Sequence, residues 1–482
     1  MKYCCIIIVC IFILSSYAFG DEAYTIQFQI SKPYCLLNFM ETLRTNGYFG
    51  PTLFGYYKES KFNDDENLKN IVSQYRNLGI NYSYEFGGYP KYRFMSKGRS
   101  ARDLLYILSA KSKTLSEFKQ ITIGIIPYYQ HRELFEVFET VEPIYDKLIW
   151  DKYYSVAEQR LHEIEEYARQ VNLSEKLKSV ASFFNNGWPA DIPIIYTFSI
   201  VPGDKIRLIP PPQGNAVFSG ILTEKVDNYE YIGRVVHEFS HRSFAEQPLE
   251  LHQQIDQWMM DSESPHKYMV SLMFNEVLGG AVGHKLNEDL IGEHEFTYGQ
   301  SFIKEYDEAI YPLVVSYMNE GKSIDRSFVE QSLKIYEETF PNTLNNYSSL
   351  FQTYYLLTDA ENYRELPGLI MKHISRPMMY ERGMPIVNDE NIDKLISYDF
   401  AKLLVITKDN ESTFNYLSDK IAALKKFSEL DLESDFILSF HGADGKAYII
   451  MNLHSIESFE PALKVLKEQK EFSPENPVTQ LD

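Results

Sequence analysis

The stretch Tyr229-Glu230-Tyr231-Ile232-Gly233-Arg234-Val235-Val236-His237-Glu238-Phe239-Ser240-His241-Arg242-Ser243-Phe244 decides how this chain is read. It contains a His-Glu-x-x-His run. On an α-helix, positions four apart lie on one face, one turn above each other. His237 and His241 therefore offer two imidazole nitrogens to one ion, and the pattern is a zinc pattern. Glu238 lies beside such an ion rather than on it. There a carboxylate takes the proton of a water that the metal has acidified. Ile232, Val235, Val236, Phe239 and Ser243 surround the polar trio with apolar or small groups. Burying polar groups in such a helix is costly unless something pairs with them. A solvated helix face with two surface His and a Glu is the plain alternative, and it fits this setting poorly.

Catalytic zinc takes three protein ligands and keeps a further position for water. After the motif the chain reads Arg242-Ser243-Phe244-Ala245-Glu246-Gln247, so the Gly and third His of a metzincin are absent at their places. A carboxylate on a second helix is the next candidate. Residues 268–286 carry Met269, Met273, Val277 and Ala281 four apart, with Leu272 and Phe274 alongside. Glu276, after Asn275, is a lone carboxylate in that run, and charges are rarely buried unpaired. Gly279 and Gly280 follow it and allow another backbone to come close. Its plain alternative is a helix-surface acid. His252, Asp256, Asp261 and His266 lie between motif and Glu276. The stretch 251–264 reads as exposed and irregular, so Asp256 ranks a distant second to Glu276.

Val235 to His241, taken with Asn275-Glu276, looks like the gluzincin class of zinc metallopeptidases. More narrowly, residues 190–320 resemble the secreted bacterial proteins grouped as DUF4932, an uncharacterised metallopeptidase-like domain. The resemblance implies His237, His241 and Glu276 as zinc ligands and Glu238 as general base. It implies no particular substrate.

Residues 1–20 read as a signal peptide. Lys2 is the positive end, Cys4 to Leu14 the apolar core, and Ala18 and Gly20 the small residues before cleavage at Asp21. No later run is long enough to span a membrane. The expected location is secreted or periplasmic. The leader takes three of the four Cys with it and leaves Cys35, so the mature chain has no internal disulfide. It also removes Lys2, leaving 46 basic residues of 47 against 67 acidic ones, a net charge of −21 (46 − 67). That charge argues against nucleic acid and anionic membranes as partners. Composition is that of a globular enzyme with a large core, 44% hydrophobic and 24% charged.

The expected class is α+β, mainly helical, with a small sheet preceding the motif helix as in zincins. Residues 24–30 alternate as a strand, and a helix begins at 33–45. Residues 98–120 hold a helix with Leu104, Leu105, Ile107 and Leu108. A long helix over 150–171 steps through Ala157, Leu161, Ile164, Ala168 and Val171. His162 and its acidic neighbours there form a solvated face. Three strands are read at 193–200, 206–209 and 216–222, with an edge open to strand addition by a peptide. Helices follow at 302–317 and 327–340. A small C-terminal α/β segment holds a strand at 403–406, a helix at 411–427 and a hairpin of 436–440 and 447–451. The expected divisions are 21–185, 186–395 and 396–482.

A peptidase also needs a donor for the oxyanion. His284, His294, Tyr298, Tyr306 and Tyr311 are candidates, Tyr298 first because it sits just before a helix. The leading function is zinc-dependent hydrolysis of peptide bonds, with a peptide or protein as substrate. The alternatives are a non-catalytic secreted binding protein on such a scaffold and a structural zinc site. An intact Glu238 argues against the former, and the absence of Cys ligands against the latter.

Overall fold

The computed structural model describes residues 24–481 except 48–49, 91–97, 187, 190, 205–213, 225–226, 292–300 and 376. β1 (Ile26–Ile30) leads into α1 (Lys32–Arg44), and a short ribbon follows, β2 (Ser83–Glu85) and β3 (Gly98–Ser100). Next come α2 (Asp151–Gln170), β4 (Ile194–Val201), β5 (Ala216–Leu222), α3 (Asn228–Ala245), α4 (Leu249–Asp261), α5 (Lys267–Ile291), α6 (Ser301–Asn319) and α7 (Arg326–Thr339). The chain ends through β6 (Thr353–Thr358), β7 (Met379–Gly383), β8 (Ala401–Ile406), β9 (Phe436–His441), β10 (Ala447–Asn452) and β11 (Val478–Gln480). The class is α+β, and helix predominates. The described residues fall into two compact units, one within Met1–Ile80 and Arg102–Val235, the other within Asn81–Ala101 and Val236–Asp482.

The first unit is built on a parallel sheet in the order β1-β4-β5. Every residue of β4 and of β5 is buried. Strands covered on both faces read as continuous apolar runs, which is why Ile194-Ile195-Tyr196 and Ala216-Val217-Phe218 do not alternate. α1 lies on this sheet. Tyr34 stacks on Phe218 at 5.1 Å between ring centres, and Asn38 donates to the Ser199 hydroxyl at 3.2 Å. The first half of α3 belongs here as well. The Tyr231 hydroxyl accepts from the Leu222 amide at 2.9 Å, and the Tyr196 hydroxyl donates to the Val235 carbonyl at 3.1 Å. The strand expected at 206–209 and the leader at 1–20 lie outside the described residues.

The second unit contains the rest of α3, the helices α4 to α7, the β2–β3 ribbon and a six-stranded sheet in the order β11-β9-β10-β8-β6-β7. Side chains alternate across that sheet. Leu403 and Val405 enter one core with the helices Leu366–His373 and Phe459–Gln469. Leu404 and Ile406 enter the opposite core with the helices Asp389–Ser397 and Asn410–Lys420. Both faces are thus helix-covered, and the sheet reaches back to Thr353, upstream of the 396 boundary expected from sequence.

The helix expected within 98–120 is Ala101–Lys111, which holds Leu104, Leu105, Ile107 and Leu108; a second, Leu115–Ile121, follows, and the Thr114 side chain caps it by accepting from the Glu117 amide. One local expectation is corrected. The stretch 251–264 is not irregular. Leu251, Ile255 and Met259 are buried four apart and make α4 an amphipathic helix.

α7 yields a simple stability test. Asp325 caps it by accepting from the Phe328 amide at 2.8 Å and also accepts from the Tyr317 hydroxyl at 3.0 Å. Asp325→Ala is expected to cost about 1 kcal/mol, seen as a lower urea midpoint. An unchanged midpoint would mean that the cap holds nothing.

Candidate metal centre

α3 buries Phe239 and Ser240 and turns His237 and His241 the same way. Ser240 costs little there, because its hydroxyl donates to the Val236 carbonyl at 2.8 Å. His237 and His241 are only 8% and 5% exposed, and their Nε2 atoms are 3.0 Å apart. Two nitrogens that each lie about 2.0–2.1 Å from one zinc cannot be more than about 4 Å apart, so the pair fits. The donor set fits as well, two imidazoles with one carboxylate. Glu276, on α5, places Oε2 3.4 Å from His241 Nε2. One donor atom each from His237, His241 and Glu276 lie within 4.8 Å of one another. Glu276 is 35% exposed, so the group is dry on the imidazole side and open on the carboxylate side.

The two glycines of α5 explain the approach. A Cβ on Gly279 would lie 2.9 Å from His241 Cε1 and 3.3 Å from His237 Cε1. A Cβ on Gly280 would collide with the Asp307 carboxylate. Each glycine therefore makes room for a different neighbour, the imidazoles in one case and the Asp307 carboxylate in the other. His237 Nδ1 lies on the Gly279 side, 3.4 Å from where a Cβ would stand. That leaves Nε2 to face His241 and the shared position. Burial, chiefly, and the neighbouring His241 push the His237 pKa down to about 4, against the pull of Glu276 and Gly279. The ring is neutral near pH 7, which is the ligating form.

The rival ligands do not join the group. His252 is fully buried; its Nε2 donates to the Ala245 carbonyl at 3.3 Å, and its ring lies 5.3 Å from that of Tyr89. His266 Nδ1 is 3.2 Å from the Thr343 hydroxyl. Asp261 is exposed and accepts from Gln257, while Asp256 is half-buried on α4. Glu238 is half-buried next to His237.

Among the oxyanion candidates, His294 and Tyr298 lie outside the described residues. Tyr306 is spoken for by the Ser332 carbonyl at 2.9 Å, and Tyr311 donates to Glu288. His284 differs. It is buried on α5, two turns past Glu276, with Nε2 2.9 Å from Asp307 Oδ1. Its charge is felt at His237. Burial raises the Asp307 pKa, and the His284 contact opposes that rise. Sequence reasoning missed Asp307, because Glu305 and Glu308 stand beside it and no local pattern marks it as the buried acid of the three, next to Tyr306 and Ile310. It also passed over Arg242, which is buried with its guanidinium 5.4 Å from the Phe239 ring centre.

Comparison with family models, curated proteins and solved structures finds no match to this chain. The reading of the centre therefore rests on its own geometry.

The close approach at Gly279 can be tested directly. Gly279→Ala is expected to weaken zinc retention by about 10- to 100-fold, because both ligand rings must shift. Gly368→Ala, where an added Cβ meets nothing within 4 Å, should leave it unchanged. Equal zinc affinity in both variants, measured by competition with a chelating dye, would show that the rings do not need the gap.

Proposed function

We propose that this chain is a secreted zinc peptidase of the gluzincin type with a zincin-like catalytic region. The observation that carries the reading is the convergence of His237, His241 and Glu276 with Glu238 adjacent on the same helix. When bound by those three side chains, zinc supplies Lewis acidity, which acidifies water and polarises a carbonyl. Glu238 removes the proton of the attacking water and returns it to the leaving amine, so one carboxylate serves both halves of the reaction. His284, backed by Asp307, is the donor assigned to the oxygen that gains negative charge. The Asp307 carboxylate, 2.9 Å away on the Nε2 side, orients the ring. The leader and its small-residue cleavage site support export, and no helix among the described residues is long and apolar enough to cross a membrane.

Metal analysis of the purified chain should find about one zinc per molecule, lost in His237→Ala and in His241→Ala. Glu276→Gln should lose most of the affinity, and Asp256→Ala very little of it. Zinc retained at wild-type affinity in Glu276→Gln would remove that ligand from the scheme.

Turnover separates the other two roles. Glu238→Gln should hold zinc and lose peptide cleavage. His284→Ala should hold zinc while kcat falls by about 10²–10³, the usual cost of one oxyanion donor. Wild-type kcat in His284→Ala would leave the donor unassigned, and wild-type activity in Glu238→Gln would exclude the general-base scheme.

A further inference from the structure

The order of strands in the C-terminal sheet reverses at β6. β7, β6, β8 and β10 run parallel, side by side in that order. From β6 the chain crosses through the helix Leu366–His373 to β7 on one side. It then crosses through the helix Asp389–Ser397 to β8 on the other side. The two helices lie on opposite faces. The loops that leave β6 and β8 therefore part at the carboxyl ends of the strands, where open α/β sheets take up their ligands. The loop after β6, residues 359–365, is firmly held. Asp359 accepts from the Thr407 amide at 2.9 Å, from the Thr407 hydroxyl at 2.5 Å and from the Lys408 amide at 3.2 Å. The Tyr363 amide donates to the Ala360 carbonyl at 3.2 Å, and the Glu365 amide to the Asn362 carbonyl at 2.9 Å.

This loop gathers positive charge in an acidic chain. The guanidiniums of Arg364 and Arg382 lie 5.8 Å and 5.5 Å from the ring centre of Tyr363. Arg382 is the last residue but one of β7, so it too stands at a carboxyl end. Its Nη1 donates to the Arg364 carbonyl at 3.3 Å, and Arg364 Nε donates to the Tyr363 hydroxyl at 3.5 Å. Both arginines are exposed. Glu365 and Glu381 are their neighbours in sequence, yet among the described residues no carboxylate forms an ion pair with either arginine. Other exposed cations differ. Arg326 pairs with Glu330 at 2.7 Å, and Lys408, on the loop after β8, pairs with Glu361 at 2.9 Å. The Tyr363 hydroxyl registers the excess: its pKa is lowered, first by the hydrogen bond from Arg364 and then by the charges of Arg364 and Arg382. Two guanidiniums on one ring repel each other, and cation–π contact at an exposed site offsets that only in part. An anion between them removes the repulsion.

We propose that Arg364 and Arg382 hold a phosphate group, either inorganic phosphate or the phosphate monoester of a small molecule. The guanidinium fork matches two oxygens of such a group, and two forks match its double charge. A carboxylate carries one charge and two oxygens, so it satisfies one fork and leaves the other. The ring of Tyr363 sets both forks on one rigid loop, which lowers the entropy lost when they close on a ligand. The acidic surface elsewhere repels anions, so a site for one must be local. The proposal is independent of the peptidase reading, because it uses the C-terminal sheet and none of the residues of the metal centre.

Calorimetric titration of the full chain with inorganic phosphate, at constant ionic strength, tests this. Binding should saturate at about one phosphate per chain. Arg364→Gln combined with Arg382→Gln should weaken it by about tenfold or more, with melting temperature unchanged. Arg382→Lys, which keeps the charge and loses the fork, should weaken it as well. Lys408→Gln should leave it unchanged, because Glu361 already neutralises that cation. Acetate should bind far more weakly than phosphate. Glycerol phosphate separates the two sources: tighter binding than phosphate assigns the site to a monoester, and weaker binding assigns it to the free ion. Either ranking supports the site as long as it depends on both arginines. The proposal is overturned if phosphate shows no saturable binding, if the double variant or Arg382→Lys binds as its parent does, or if acetate binds as tightly. Phosphate taken up at the metal centre would be lost in His237→Ala and kept in the arginine variants, and that outcome also overturns it.

Discussion

At Gly279 the backbone of α5 presses on the imidazole rings of His237 and His241 with no Cβ between them. A methyl group there would stand 2.9 Å from a ring carbon. The remaining features of the centre follow from that approach. It brings Glu276, nearly one turn earlier, within reach of His241, and it sets the Gly279 backbone beside the His237 ring. It costs helix stability, since glycine in a helix interior loses about 1 kcal/mol against alanine. α5 meets that cost by being buried nearly all round, with Val277, Leu278, Ala281 and Val282 each at or near zero exposure. A surface helix could not carry two successive glycines at its centre so readily.

The same helix organises the electrostatics. Next to Gly279, Gly280 lets Asp307 of α6 approach the α5 backbone, and Asp307 meets His284 one turn further on. Burial raises the Asp307 pKa, and the His284 contact only opposes that rise. At the other end of the centre, His237 is held neutral by burial and by its neighbour ring. One helix thus packs against two buried imidazoles, His237 through Gly279 and its own His284, which meets Asp307.

The motif helix was legible because its chemistry lies within five consecutive residues and its apolar face has helical period. Glu276 was legible for a related reason, a single charge in an apolar run. α4 was not, because Gln253, Gln254, Asp256 and Gln257 obscure the sparse stripe Leu251, Ile255 and Met259. The His284–Asp307 contact joins two helices, and no local pattern encodes which helices will touch. The C-terminal sheet was partly legible: β8, β9 and β10 have strand patterns, but its parallel pairings of β6 with β7 and β8 depend on helices crossing over both faces. The aromatic alternation at 82–86 is plain once seen on a strand, yet its anchoring to α3 and α4 is tertiary.

That anchoring bears on how the chain comes to its final shape. Arg99 and Glu246 are 147 positions apart, and Gly88 and Gln253 are 165 apart. The ribbon is made long before the helices it rests on. Contacts of such wide separation close late and slowly, since the intervening chain must first be ordered. Until then Tyr82, Tyr84, Phe86 and Tyr89 form a sticky aromatic segment of the nascent protein, the kind of surface that invites wrong pairing. The segment Asn81–Ala101 also belongs to the second unit although it is threaded between two parts of the first. A fragment beginning after residue 101 would retain His237, His241 and Glu276 and still lack the partner of Glu246, so trimming the chain to the helices of that group would expose a surface that the ribbon covers.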